Sequence, residues 1–155
     1  VTKNWRVGKM ERLDPERLMV NEEQWLQARQ RVATFPISDM RHIEIWNDAI
    51  EYASIATKDV VPTPISAIDT MTGQRFAIEQ GCCGFASVHV KGNTAFGRAM
   101  KRSGIMKRDS YRGGNYYSVD MFGQSLEPKE VWAKACVEHL QHCGIEDAYY
   151  LSRMD

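Results

Sequence analysis

The chain has 155 residues, and its 20 basic and 20 acidic side chains give a formal charge of zero. A hydrophobic fraction of 43% and a charged fraction of 26% are ordinary for a globular domain with a real core and argue against a disordered or fibrous chain. No apolar run approaches the ~20 residues that span a bilayer, and no basic n-region precedes an apolar h-region, so no membrane is expected as a partner.

Asp14-Pro15-Glu16 has the form of an N-cap, a proline in the first turn and an acid behind it. Asn21 with Gln24 resembles a capping box and opens a helix to about Thr34, where Pro36 stops it. Ser38 caps a second helix over residues 39–56, with Ile43, Trp46, Ile50 and Ala53 at helical spacing. Residues 1–56 therefore read as a helical N-terminal region. Its apolar stripe needs cover, in this molecule or in a second copy, so a homo-oligomer is one expectation. Residues 57–74 hold Pro62, Pro64 and Gly73 and read as a connecting loop.

Residues 75–155 alternate between short strands and helices. Residues 75–79 and 85–90 read as strands joined through Gly81-Cys82-Cys83-Gly84, which suggests a hairpin. Residues 94–103 form a short helix. Residues 116–122 form a strand entered through Gly113-Gly114. Ser125 caps a helix that ends at Gly144, and residues 148–151 form the last strand. The order ββαβαβ predicts an α+β or α/β fold, a small sheet with helices packed on it.

Several residues of this region also carry a family likeness. Cys83-Gly84-Phe85-Ala86 with Val88, Gly113-Gly114, Gln124-Ser125 with Lys129, Gly144-Ile145 and the closing Ser152-Arg153-Met154-Asp155 resemble an uncharacterised family of small tailed-bacteriophage proteins. The likeness runs from Gly81 to Asp155. It implies phage origin and a location in the cytoplasm of a bacterial host or in the virion. It implies no activity. Tyr116-Tyr117 departs from the pattern, where fewer aromatics are expected.

The formal neutrality conceals a polarised chain. Lys91, Arg98, Lys101, Arg102, Lys107, Arg108 and Arg112 face one acid, Asp109, so residues 91–112 carry net +6 and the remainder net −6. On the short helix Ala95, Phe96, Ala99 and Met100 occupy one side and Arg98, Lys101 and Arg102 the other. Cations beside Tyr111, Tyr116 and Tyr117 suit a nucleic-acid backbone with stacked bases. The plainer reading is a solvated charged face, and an acidic protein surface is the competing partner. The candidate nucleic-acid contacts are the seven cations and Tyr116. The two tyrosines point to opposite faces of a strand, so at most one serves binding.

A second candidate is a ligand site formed by Gly113, Gly114, Gln124, Ser125 and Arg153, from glycine-lined backbone and a helix entry. A flexible turn and a plain N-cap explain the same residues. Cys136, His139 and Cys143 share a helix face with Trp132 and Leu140, which reads as core. Close cysteine-pair spacing is absent, so no metal and no cofactor are expected. Neither paired carboxylates nor a hydrolase elbow appears at diagnostic spacing, and an enzyme is not the leading reading. The leading expectation is a binding protein for a host or phage macromolecule, with nucleic acid favoured. A virion assembly component and a small-ligand binder or unrecognised enzyme are the alternatives.

Overall fold

The computed structural model describes residues 37–155. The expected helix start at Asp14 and the helix ending at Thr34 lie outside these residues.

Helix α1 (Ile37–Thr57) follows its apolar spacing: Ile43, Trp46, Ala49 and Ala53 are buried at intervals of three and four. It ends where the Thr57 hydroxyl donates to the Ala53 carbonyl at 2.9 Å, ahead of Pro62 and Pro64. The segment expected to be only a loop contains strand β1 (Ile65–Ile68). It pairs antiparallel with β2 (Arg75–Ile78), with Ile65 opposite Ile78 and Ile68 opposite Arg75. The expected pairing of residues 75–79 with residues 85–90 is thus corrected. Pro64 and Asp69 bracket a four-residue apolar strand, and Asp69 builds the turn. Its side chain accepts from the Met71 and Thr72 amides at 2.8 and 3.3 Å, and its amide donates to the Gln74 carbonyl. Gly73 takes the positive φ that this turn needs.

A four-stranded sheet follows, in the order β4-β5-β3-β6 with every pairing antiparallel. Its strands are β3 (Gly84–Val90), β4 (Lys107–Arg108), β5 (Asn115–Ser118) and β6 (Tyr149–Met154). Two helices lie between them in sequence, α2 (Ala95–Arg102) and α3 (Leu126–His142). The fold is α+β. Thr94 caps α2 as its side chain accepts from the Gly97 amide at 3.0 Å. Ser125 stands at the entry of α3 but makes no side-chain cap. Its hydroxyl donates instead to the Gln80 carbonyl at 2.8 Å, tying the hairpin exit to the helix start.

Alternation along the strands separates two faces. Ala86, Val88 and Val90 point to the helices, together with Asn115, Tyr117 and Val119. On that side Tyr117 sits between the two tryptophans, 5.1 Å from the Trp46 ring and 5.7 Å from the Trp132 ring. Phe96, Ala99 and Met100 of α2 join the same core, and so do Cys136 and Leu140 of α3. The α3 face with Cys136 is therefore core, and burial pushes that thiol up to about 12. Asn115 is buried and donates to the Gly97 carbonyl at 2.8 Å, locking α2 against β5. Residues 37–57 share one core with residues 84–155.

Candidate functional site

The other face of the sheet is lined by Phe85, Ser87 and His89 of β3, Tyr116 and Ser118 of β5, and Lys107 of β4. From β6 it takes Tyr149, Leu151 and Arg153. The three described helices pack on the opposite side. Two register pairs generate a row of three rings, because His89 lies opposite both Tyr116 and Tyr149. The imidazole stacks between them at 5.8 and 5.0 Å, with interplanar angles of 23° and 15°. Tyr149 is 41% exposed, and Phe85, four residues from His89 along β3, is 43% exposed. The Arg153 guanidinium lies over the Phe85 ring at 5.2 Å, and the buried Lys129 ammonium approaches that ring at 5.6 Å.

Behind the row stands Asp109. One of its carboxylate oxygens faces His89 Nδ1 at 3.7 Å. The other accepts from the Tyr111 and Arg112 amides at 2.9 Å each. The loop is closed by the Asp109 amide on the Gly114 carbonyl and the Gly113 amide on the Asp109 carbonyl. It repeats the turn built on Asp69. Its tip projects Tyr111, 90% exposed, with the Arg112 guanidinium 5.8 Å from the ring centre. Gly113 and Gly114 both have positive φ, and a Cβ at Gly114 would come within 2.5 Å of the Val90 carbonyl oxygen. These glycines shape the turn.

Electrostatics follow the geometry. The Arg112 and Tyr111 amides, more than the nearby cations, hold Asp109 below the usual carboxylate range. Burial pushes His89 down from the ordinary histidine range, against the pull of Asp109 and with a smaller push from Arg112. The imidazole is therefore neutral near pH 7. Its Nε2 lies 2.7 Å from the Ser87 hydroxyl.

The seven cations expected to act together are divided by the fold. Lys107 lies on the ring face, in register with Tyr116, whereas Arg108 points to the other side. Arg112 flanks the ring face from the loop tip. Arg98 and Lys101 are exposed on α2, with Arg98 donating to the Asn93 carbonyl at 2.6 Å. Lys91 is exposed where β3 ends, its amide held by Asp147 at 2.8 Å. Arg102 makes two hydrogen bonds, at 2.7 and 2.9 Å, to the buried Asp39 of α1, and so joins two helices while its side chain stays half exposed. Tyr116 faces the row, and Tyr117 is core, as alternation requires.

The residues of the second candidate do not converge. Gly113-Gly114 adjoin the Val90 end of β3, while Ser125 bridges Cys83 and Arg153 pairs with Phe85 at the other end. About six residues of strand, roughly 20 Å, separate them. Gln124 and Ser125 instead line a cleft of about 400 Å³ with Pro62, Glu79, Gln80, Phe122 and Gly123. Among the described residues no group of three or more His, Cys, Asp or Glu side chains is placed to hold a metal ion. No helix among them is long and apolar enough to cross a membrane.

Two features of this site lie outside the sequence expectations. Tyr149 and Phe85 form the exposed parts of the face, and Ser87, His89 and Asp109 come together beneath it. Alternation in Phe85-Ala86-Ser87-Val88-His89 places the β3 members on one face, and that signal was available. Asp109 reaches His89 only through the pairing of β4, β5 and β3, which no local pattern encodes. No family model, curated protein or solved structure matches the chain.

Proposed function

We propose that this chain is a phage-derived accessory protein that binds single-stranded nucleic acid inside a bacterial host, through the ring face of its four-stranded sheet. One observation carries the reading: exposed Phe85 and Tyr149 and the half-buried Tyr116 share a helix-free sheet face, with Lys107, Arg112 and Arg153 at its margins. Aromatic side chains accept unstacked bases of any sequence, and the flanking cations follow the phosphates. A sheet of this width accommodates about two or three bases. Tyr111 at the loop tip adds one more exposed ring, whereas Arg98 and Lys101, on α2, lie on the helix side of the sheet. A duplex hides its bases from such a face, so an unpaired strand is the favoured partner.

The test is fluorescence polarisation with a labelled twelve-nucleotide oligo-dT or oligo-U at low salt. Binding should weaken steeply as salt rises, because each neutralised phosphate on a single strand contributes about −0.7 to the log–log slope. Replacing Lys107, Arg112 and Arg153 together with Gln removes up to three such contacts and should flatten the slope by about 2. Absence of binding to either oligomer at low salt would refute the proposal and turn attention to an acidic protein surface. Binding with an unchanged slope in the triple variant would place the interface elsewhere.

A further inference from the structure

We propose that Ser87 is a nucleophilic hydroxyl, activated by His89 and oriented through Asp109, and that the sheet surface around it accepts a carboxylic ester bearing an anionic group. The inference does not rest on nucleic-acid binding, although both use the same face of the sheet.

The arrangement has the parts that nucleophilic catalysis requires. The Ser87 hydroxyl lies 2.7 Å from His89 Nε2. On the other side of the ring, Nδ1 is buried, makes no hydrogen bond, and faces the Asp109 carboxylate at 3.7 Å. That carboxylate places the proton of the neutral imidazole on Nδ1. Nε2 is then the acceptor, and the Ser87 hydroxyl donates to it. Contacts of this kind are looser before substrate binds. Asp109 is fixed beforehand by two backbone amides on its other oxygen. His89 is 3% exposed, held between Tyr116 and Tyr149, with Lys107 paired to Tyr116 and Arg112 near Asp109 on the outer side. Burial lowers its proton affinity, so the base is free at neutral pH.

Ser87 is half-buried, unlike the buried His89 beside it. Its register partners on this face are Ser118 and Leu151, both shorter than the rings on either side. Register thus places the shorter side chains of this face between the Tyr116–His89–Tyr149 row and the Phe85–Arg153 pair. Cross-strand neighbours hold their Cβ atoms about 4.5–5.5 Å apart, so the Ser118 hydroxyl can donate to an oxygen held over Ser87. Arg153, over Phe85, supplies the charge for an anionic substituent.

In the reaction the Ser87 oxygen bonds to the ester carbonyl carbon while His89 Nε2 takes the hydroxyl proton. The bond from that carbon to the alcohol oxygen then breaks, and Nε2 returns the proton to the departing alkoxide. The acyl group remains on Ser87. Water attacks it by the same steps, releasing a carboxylic acid and restoring the serine.

The full chain is treated with a fluorophosphonate probe, and separately with 4-nitrophenyl hemisuccinate and the neutral 4-nitrophenyl acetate. The expected label is on the Ser87 peptide, identified by mass spectrometry. Both label and nitrophenol release should be lost in Ser87→Ala. His89→Gln should slow release by about 100-fold or more. Asp109→Asn should slow it with KM little changed. The pH profile should rise through a value below the ordinary histidine range and be level by about pH 7. Arg153→Gln should raise KM for the hemisuccinate and not for the acetate. Thermal melts of Ser87→Ala and Asp109→Asn establish that each is folded, so the conclusion does not depend on His89→Gln. An unlabelled Ser87 in folded wild-type protein, or equal nitrophenol release by Ser87→Ala, would overturn the proposal.

Discussion

Replacing each of the adjacent tyrosines of β5 with alanine separates the two faces of the sheet. Tyr117 lies among the core side chains, its ring 5.1 Å from Trp46 of α1 and 5.7 Å from Trp132 of α3. Burial raises its phenol above the ordinary tyrosine range. Removing this ring leaves a void between two tryptophans that are themselves almost wholly buried. Large aromatic-to-alanine changes in cores cost about 3–5 kcal/mol, and each aromatic pair adds about 0.5–1.5 kcal/mol beyond its buried area. Tyr117 retains partial solvent contact, so about 3 kcal/mol is expected for Tyr117→Ala. For a chain of this size that corresponds to a fall in Tm of roughly 6–12 °C. Tyr116 touches His89 and no tryptophan, and Tyr116→Ala should cost about 1 kcal/mol. Urea denaturation monitored by tryptophan fluorescence measures both, and oligonucleotide titration measures binding. Tyr117→Ala should bind normally per folded molecule, while Tyr116→Ala should bind more weakly. A Tyr117→Ala protein as stable as wild type, or one that is stable and has lost binding, would refute the assignment of faces.

Three further outcomes follow from particular contacts. Gly97→Ala should destabilise by about 1–3 kcal/mol in thermal or urea melts, because a Cβ there would run into the Lys91 backbone carbonyl where α2 leaves β3. Arg102, hydrogen-bonded to Asp39, holds that carboxyl below the usual range; a carboxylate with a depressed folded pKa stabilises above its unfolded value, near 4, and the contribution disappears as pH falls through the lower folded value. Melts from pH 6 to pH 2 should therefore show a larger acid-linked loss in wild type than in Arg102→Gln, while Lys101→Gln should follow wild type. Iodoacetamide should modify exposed Cys82 and Cys83 in the folded protein and reach Cys136 only after denaturation, as read by peptide mass spectrometry.

Within residues 37–155 the helices were legible from their apolar stripes and end residues. Thr94 and Ser103 bound α2 in the structure as their positions suggest. Ile43, Trp46 and Ala53 identify the buried side of α1, and Ser125 with Gly144 frames α3. Pairing between strands was not legible, because it depends on partners distant in sequence. Ile65–Ile68 is too short to show a period, yet the Asp-x-x-x-Gly spacing of Asp69 and Gly73, repeated at Asp109 and Gly113, marks both turns. The two-residue β4 gave no local signal. The cationic segment was recognised as a run of charge, but a run of charge is not a surface. The fold commits Arg102 to Asp39 and turns Arg108 away from Lys107. Opposite faces for Tyr116 and Tyr117 follow from strand alternation alone. The exposed ring of Tyr149 required the register with His89, which only the assembled sheet supplies.

The central claim is that the ring face contacts unpaired bases, and photochemical cross-linking tests it most directly. A 4-thiouridine-substituted single-stranded oligonucleotide, irradiated with the full chain at low salt, should give adducts that map to Phe85, Tyr111, Tyr116 or Tyr149. An excess of unlabelled oligo-U should suppress them, and an excess of duplex should not. Adducts confined to the exposed residues of α1 or α3, such as Tyr52, or no adduct at a concentration that saturates binding, would contradict the account.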